Sequence, residues 1–189
     1  MQLEKPFQPE EATLRDGSTV TLRAVAPKDA EGLRALFHRL SPESVYYRFL
    51  EARKDLPIEQ AERFASVDYS HSMAILAVTP AGNGPEAAIV GVARYGPISD
   101  QDRQLVEAAV VVQDDYQGRG LGTLLLLRLV TYAQQHGIHG LQATVHQSNA
   151  KIMRFIKKSG LPTKRKLNGG VWEIVVELQD GPELSDAGV

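Results

Sequence analysis

The chain has 189 residues, 43% of them apolar and 23% charged, which matches one ordinary domain with a full core and excludes wholesale disorder. It has no cysteine, so disulfides, thiolate zinc sites, iron–sulfur clusters and a cysteine nucleophile are excluded together, and a reducing, cytoplasmic setting is expected. The net charge is only −2, yet no Asp or Glu occurs from Tyr116 through Trp172, a stretch that carries Arg119, Arg128, Lys151, Arg154, Lys157, Lys158, Lys164, Arg165 and Lys166. Such asymmetry points either to an anionic partner or to solvated helix faces.

Met1-Gln2-Leu3-Glu4-Lys5-Pro6 lacks the apolar segment of a signal peptide, and the leucine run Leu124 to Leu127 ends at Arg128, so no membrane span is expected. Residues 1–12 read as an N-terminal extension, 13–178 as one folded domain and 179–189 as a flexible polar tail. Thr19 to Ala24 predicts a first strand, after the turn Arg15-Asp16-Gly17-Ser18. Pro27 opens a helix with Leu33, Leu36, Phe37 and Leu40 at helical spacing. Ser41-Pro42 stops it and caps a short second helix, in which Tyr46, Tyr47 and Phe49 read as core. A third helical piece runs from Pro57 to about Ala65. Met73 to Val78 and Ala87 to Ala93 form a hairpin across the surface turn 80–86. Leu105 to Val112 is a strand, Leu121 to about His136 a helix ended by Gly137, and Leu141 to Val145 a strand. Asn149 to about Ser159 is a helix ended by Gly160, and Asn168-Gly169-Gly170 turns into a last strand, Val171 to Leu178. A hairpin-rich front and a strand–helix–strand–helix centre predict a mixed α/β sheet with helices on its faces.

The informative segment is Val110-Val111-Val112-Gln113-Asp114-Asp115-Tyr116-Gln117-Gly118-Arg119-Gly120-Leu121-Gly122-Thr123. A buried strand feeds three alternate glycines from which an apolar helix starts. The first N–H groups of such a helix have no intrahelical acceptor and sit at the positive end of its dipole, and glycines let a phosphate come close. A P-loop would need Gly-Lys-Ser/Thr, but Gly122 is followed by Thr123-Leu124. A dinucleotide fingerprint would need G-x-G-x-x-G and an acid some 20 residues on, and neither is present.

Gln117-x-x-Gly120-x-Gly122 instead resembles the GNAT N-acetyltransferase superfamily, in which Gln/Arg-x-x-Gly-x-Gly/Ala wraps the pyrophosphate of acetyl-coenzyme A. Asn149 just after the next strand, with Gly160-Leu161 closing its helix, matches the family's second motif, although Asn149 alone would read as a helix cap. The resemblance implies a central, mostly antiparallel sheet flanked by helices. It also implies acetyl-coenzyme A as acetyl donor, held by Val110, Val111, Val112, Gln117, Gly118, Arg119, Gly120, Leu121, Gly122, Thr123 and Asn149, with no metal. An acid-free stretch facing the phosphates of coenzyme A would explain the charge asymmetry.

Within the superfamily the chain resembles the bacterial protein-lysine acetyltransferases, the Pat group, whose Glu-x-Ala-x-x-Val precedes the glycine loop. Glu107, Ala109, Val112 and Gln117 match that spacing. Leu14-Arg15-Asp16-Gly17, Ser41-Pro42-Glu43-Ser44, Tyr47-Arg48-Phe49, Val67-Asp68-Tyr69 and Gly91-Val92-Ala93-Arg94-Tyr95 extend the likeness over most of residues 14–178. By position alone Glu107 reads as a solvated strand end. The resemblance makes it the general base, taking a proton from an acceptor amine that is under about 0.1% deprotonated at neutral pH. The tyrosine that protonates the leaving thiolate in many family members is here Ile156.

His136 and His139 flank Gly137, His71 and His146 lie near strand ends and His38 lies on a helix, with no spacing that suggests a metal. His146, three residues before Asn149, is left outside the cofactor set. The expected partners are acetyl-coenzyme A and a protein lysine, the resemblance pointing to that of an acyl-coenzyme A synthetase. A small-molecule amine acceptor and a non-catalytic acyl-coenzyme A sensor are the alternatives. A membrane is not an expected partner, since no span is expected, and nucleic acid is not expected because the whole chain is acidic.

Overall fold

The computed structural model describes residues 7–80, 87–99 and 102–178. Eight strands form one sheet: β1 Glu10–Thr13, β2 Thr19–Ala24, β3 Met73–Val78, β4 Ile89–Pro97, β5 Leu105–Val112, β6 Gly140–His146, β7 Thr163–Asn168 and β8 Val171–Glu177. Their order is β1-β2-β3-β4-β5-β6-β8-β7, and every pair is antiparallel except β5 with β6. The helices are α1 Ala30–His38, α2 Pro42–Phe49, α3 Ile58–Ala65, α4 Leu121–Gln135 and α5 Ala150–Ser159, with short 3-10 turns at Pro27–Asp29 and Asp114–Tyr116. The expected mixed sheet is therefore present, and its one parallel pair is the pair that α4 crosses over.

Pairing begins earlier than expected. Glu10 to Thr13 lie opposite Leu22 to Thr19, and the first three of them fall inside the stretch read as an extension. Two glutamates followed by Ala and Thr carry no apolar alternation, so this strand forms because β2 offers it an edge, not from its own composition. The polar tail 179–189 and most of the turn 80–86 lie outside the described residues.

Strand β3 is buried along its whole length, and alternation divides its side chains between two cores. Met73, Ile75 and Ala77 meet Leu121, Leu125 and Leu129 of α4 on one face. Ala74, Leu76 and Val78 meet Leu33, Leu36, Phe37 and Ala61 of α1 and α3 on the other. Each such leucine contributes about 1.5–3 kcal/mol by leaving water. Gly91 lets α4 approach, since a Cβ there would stand 3.0 Å from Leu125 Cδ1.

The turn from β2 into α1 is held by a saturated ion pair. Both terminal nitrogens of Arg23 donate to the Asp29 carboxylate at 2.7 Å, and the Ala26 N–H donates to Asp29 Oδ2 at 2.7 Å. Burial alone would raise the Asp29 carboxyl, but the Arg23 fork and the Ala26 N–H outweigh it and hold the group below its ordinary value. A depressed carboxyl stabilises the fold fully above its unfolded value, ~3.9, and the contribution fades as pH falls through the lower folded value. Asp29→Ala is expected to cost about 2 kcal/mol at neutral pH, read by urea unfolding, and to flatten the acid limb of the stability–pH curve. An unchanged midpoint would remove this pair from the account.

Candidate active site

Strands β5 and β6 share only three rungs, Leu105–Gly140, Val106–Leu141 and Glu107–Gln142. Beyond Glu107 they part. β5 continues to Val112 paired with β4 alone, and β6 continues to His146 paired with β8 alone. The cleft between them is walled by Ala108, Ala109 and Val110 on one side and Ala143, Thr144 and Val145 on the other. Leu126 and Val130 of α4 floor it, Asn149, Ile152, Phe155 and Ile156 close its far side, and Tyr47 and Arg48 of α2 reach its opening. The cavity holds about 100 Å³. The backbone of β5 past the fork has no ladder partner on its β6 side and so offers an edge to which an extended, amide-bearing ligand can hydrogen-bond.

At the far end of β5 the glycine loop turns into α4. Gly118 and Gly120 have φ of 77° and 89°, and no side chain caps the helix at Gly120. The N–H groups of Leu121, Gly122 and Thr123 are the first three of the helix and have no intrahelical acceptor. A Cβ on Gly120 would stand 3.2 Å from Arg15 Nε. An open helix terminus beside an open strand edge fits a pyrophosphate with an extended arm, which is the shape of coenzyme A.

Several expected binding residues are tied into the protein by their side chains. Gln117 Nε2 donates to the Val112 carbonyl and to Ser44 Oγ, both at 3.0 Å, and Lys151 Nζ donates to Gln117 Oε1 at 2.6 Å. The motif glutamine thus clamps β5, α2 and α5 together, and Lys151, which sequence reasoning passed over, stands at the glycine loop. Asn149 Oδ1 accepts the Ile152 N–H at 3.4 Å, so this residue is a helix cap as well as a cleft wall. Val110 and Val111 are half-buried, Val110 against the α4 core and Val111 against the α1–α3 core. Val112 is buried, and Thr123 is half-buried.

The acid-free stretch of sequence is not acid-free in space. Arg119 pairs with Asp16 at 2.7 Å, Arg128 with Glu10 at 2.6 Å and Lys164 with Glu177, all acids from outside the stretch. Arg119 also lies 4.8 Å over the Tyr116 ring, so its charge is spent on the fold, and the Arg15 N–H donates to the Arg119 carbonyl at 3.0 Å. This docking against the glycine loop explains the Leu14-Arg15-Asp16-Gly17 motif. Of the remaining cations, Lys151, Arg154, Lys157 and Lys158 lie on α5, and Arg165 and Lys166 lie on β7.

Helix α2 is pinned over the cleft by Asp114. Its carboxylate accepts from the Ser41 N–H at 2.8 Å, Ser41 Oγ at 2.6 Å and Ser44 Oγ at 2.9 Å. Burial would raise this carboxyl, but the serine donors hold it below the ordinary value. One turn on, the expectation that Tyr46, Tyr47 and Phe49 are all core is corrected. Only Phe49 packs in the core; Tyr46 is 39% exposed and Tyr47 lines the cleft. A helix resting on an open fork instead of a continuous sheet leaves those two rings uncovered. They flank His146 at ring-centre distances of 5.6 and 6.2 Å, and the hydroxyls of Tyr47 and Ser148 lie 3.0 Å apart. His146 Nδ1 contacts Ser148 Oγ at 2.7 Å.

Glu107 occupies the last shared rung and is exposed. Its neighbours Val106 and Ala108 pack toward α4, so its side chain takes the α2 side of the sheet, near Arg48 and Arg94. Burial, with the like charge of Arg94, brings the Arg48 guanidinium down to about 10. Burial also lowers Arg94, while the Glu107 charge opposes the shift in both. Among the described residues no cluster of His, Asp or Glu could hold a metal, and no helix is long and apolar enough to cross a membrane.

Comparison with known proteins agrees with this geometry. A family model described as "Acetyltransferase (GNAT) domain" matches residues 19–162. The chain is 31% identical over 137 residues to Acetyltransferase PA5475 of Pseudomonas aeruginosa, covering 72% of each. It is 30% identical over 147 residues to Acetyltransferase Pat of Mycolicibacterium smegmatis, covering 78% of this chain but only 42% of that longer protein. The solved GNAT domain of S. lividans PAT superposes with a TM-score of 0.78 at 29% identity, over 90% of this chain and 97% of that one. A forked sheet, an uncapped glycine-started helix and these matches together make the chain a member of the GNAT acetyltransferase family, whose acetyl donor is acetyl-coenzyme A.

Proposed function

We propose that the chain transfers the acetyl group of acetyl-coenzyme A directly to an amine, that the acceptor is a protein lysine, and that Glu107 is the general base. The observation carrying this reading is the position of Glu107 on the last rung before β5 and β6 part. A carboxylate there stands where the thioester would enter the fork and is exposed enough for an amine to reach it. The amine loses its proton to Glu107 and its lone pair attacks the thioester carbonyl. The oxyanion that develops is met by β5 N–H groups left unpaired beyond the fork. The intermediate collapses by breaking the C–S bond, and coenzyme A leaves as a thiolate, tolerable near neutral pH because a thiol pKa is about 8.5. The second proton shed by the nitrogen passes to that thiolate or to water, so the apolar Ile156 in the cleft wall is no obstacle. The cofactor role falls to the β5 backbone at Val110, Val111 and Val112, to residues 117–123 and to Asn149. The protein-lysine acceptor is supported by the likeness to the Pat acetyltransferase, and a cytoplasmic setting by the absence of cysteine.

Two expected outcomes follow from this assignment. Gly120→Val should weaken acetyl-coenzyme A binding at least tenfold by calorimetry, because it forces a β-branched residue into φ 89° and drives a Cβ toward Arg15. Undiminished affinity would take the loop out of the binding site. Glu107→Gln should retain cofactor affinity while the transfer rate falls by roughly 10²–10⁴-fold near neutral pH. Raising the pH should restore part of that loss, since free amine becomes abundant without a base. Wild-type activity in Glu107→Gln across the neutral range would sink the base assignment and favour a cofactor-binding sensor.

A further inference from the structure

Several arginines elsewhere in the fold are held by polar partners. Arg23 is saturated by Asp29, Arg39 donates to Gln113 and the Ile89 carbonyl, and Arg53 is held by Glu51 and Gln60. Arg48 and Arg94 are treated differently. They enter one cavity on the α1–α3 side of the sheet, Arg48 from α2 and Arg94 from β4, between Phe37, Phe49, Phe64 and Val111. Both are half-buried, and neither donates a hydrogen bond to any described residue. Their planes are set by rings instead: Arg94 lies 4.3 Å over Phe64, and Arg48 lies 4.8 Å over Phe49 and 5.8 Å from Phe64. Stacking fixes a guanidinium by its face and leaves its N–H edge, up to five donors each, for another partner.

The charges do not balance either. The one carboxylate that acts on both cations is Glu107, and it forms no ion pair within 4.0 Å with either. Two partly desolvated cations facing one carboxylate leave a positive charge uncompensated, and burial is already working against both guanidiniums. Arg48 also lines the cleft at the fork, so the cavity and the thioester slot meet at this residue.

We infer that Arg48 and Arg94 form an anion subsite that holds a carboxylate of the acceptor while its amine is presented to Glu107. The inference rests on the acetyltransferase reading and adds to it a requirement on the acceptor. A carboxylate matches the planar edge of a guanidinium and supplies the missing negative charge. Two sources offer that chemistry: an acidic side chain beside a protein lysine, or the α-carboxylate of a free amino acid.

The test uses acceptors in matched pairs that differ only by carboxylate against carboxamide. One pair is a lysine peptide with Glu or with Gln beside the lysine; the other is a set of free amino acids and their amides. Wild type should favour the carboxylate member of one pair by roughly 10- to 100-fold in kcat/KM, chiefly through KM, and that pair identifies the source. In Arg48→Gln and Arg94→Gln this ratio should fall toward one, and Arg94→Lys should keep part of it. Calorimetry with acetyl-coenzyme A reports whether each variant is folded. Binding of the acetylated products to the coenzyme A complex repeats the comparison without turnover. Discrimination among products with no acetylation of any amine supports the subsite and overturns the transfer reading instead. Indifference of wild type to the carboxylate in both rate and product binding overturns the subsite, as does a preference that survives in both arginine-to-glutamine variants.

Discussion

The site depends on three rungs and no more between β5 and β6. A parallel pair that continued would satisfy its own backbone and leave nothing for a ligand. By parting at Glu107 and Gln142, the strands create an unpaired edge inside the sheet, a position that folded proteins ordinarily avoid. Packing on both faces makes the opening tolerable. Strand β5 stays paired to β4 from Val106 to Val112, β6 keeps its ladder to β8, and α4 and α5 line the gap with Leu126, Val130, Ile152 and Phe155. The fork is a rigid opening, braced from outside by ladders that do not cross it.

Around the fork, polar side chains act as ties that fix the edges of the cleft. Asp114 gathers Ser41 and Ser44 and holds α2 against the end of β5. Gln117 links β5, Ser44 and Lys151, joining the glycine loop to α2 and α5. Arg119 and Asp16 bind the loop to the turn before β2. These groups come from four separate stretches of chain and converge on one rim. Their alignment keeps the helix terminus at Gly120 open, because each tie uses a side chain or carbonyl and leaves the first N–H groups of α4 untouched. Electrostatics follows the same division. Cations paired to acids build the rim, whereas the stacked Arg48 and Arg94 keep their donor edges free beside Glu107.

The fold was largely legible. Periodicity and caps placed β2, β3, β5, α4 and α5 within a residue or two, since strong alternation, prolines at helix starts and glycines at helix ends are local signals. The edge strand β1 was not legible, because Glu10-Glu11-Ala12-Thr13 has no strand pattern until β2 lies beside it. At the site, the glycine loop and Glu107 could be singled out from the residues and their resemblance. The exposure of Tyr46 and Tyr47 could not, because helical spacing says which residues share a face and not whether that face meets a sheet or a gap. The Arg48–Arg94 pair was equally hidden: 46 positions separate the two, and only the seating of α2 against β4 and β5 brings them together.

By itself the sequence determined the alternation of strands and helices, the uncapped helix start at Gly120 and the presence of a carboxylate two residues into an apolar strand. All of these are set by residues within a few positions of one another, through backbone preference and burial period. Tertiary structure alone decided where β5 and β6 part, which acids neutralise the basic stretch and which arginines remain unpaired. Those outcomes turn on long-range pairing. The ion pairs Arg128–Glu10 and Arg119–Asp16 join residues more than a hundred positions apart, and no local preference carries information over that distance.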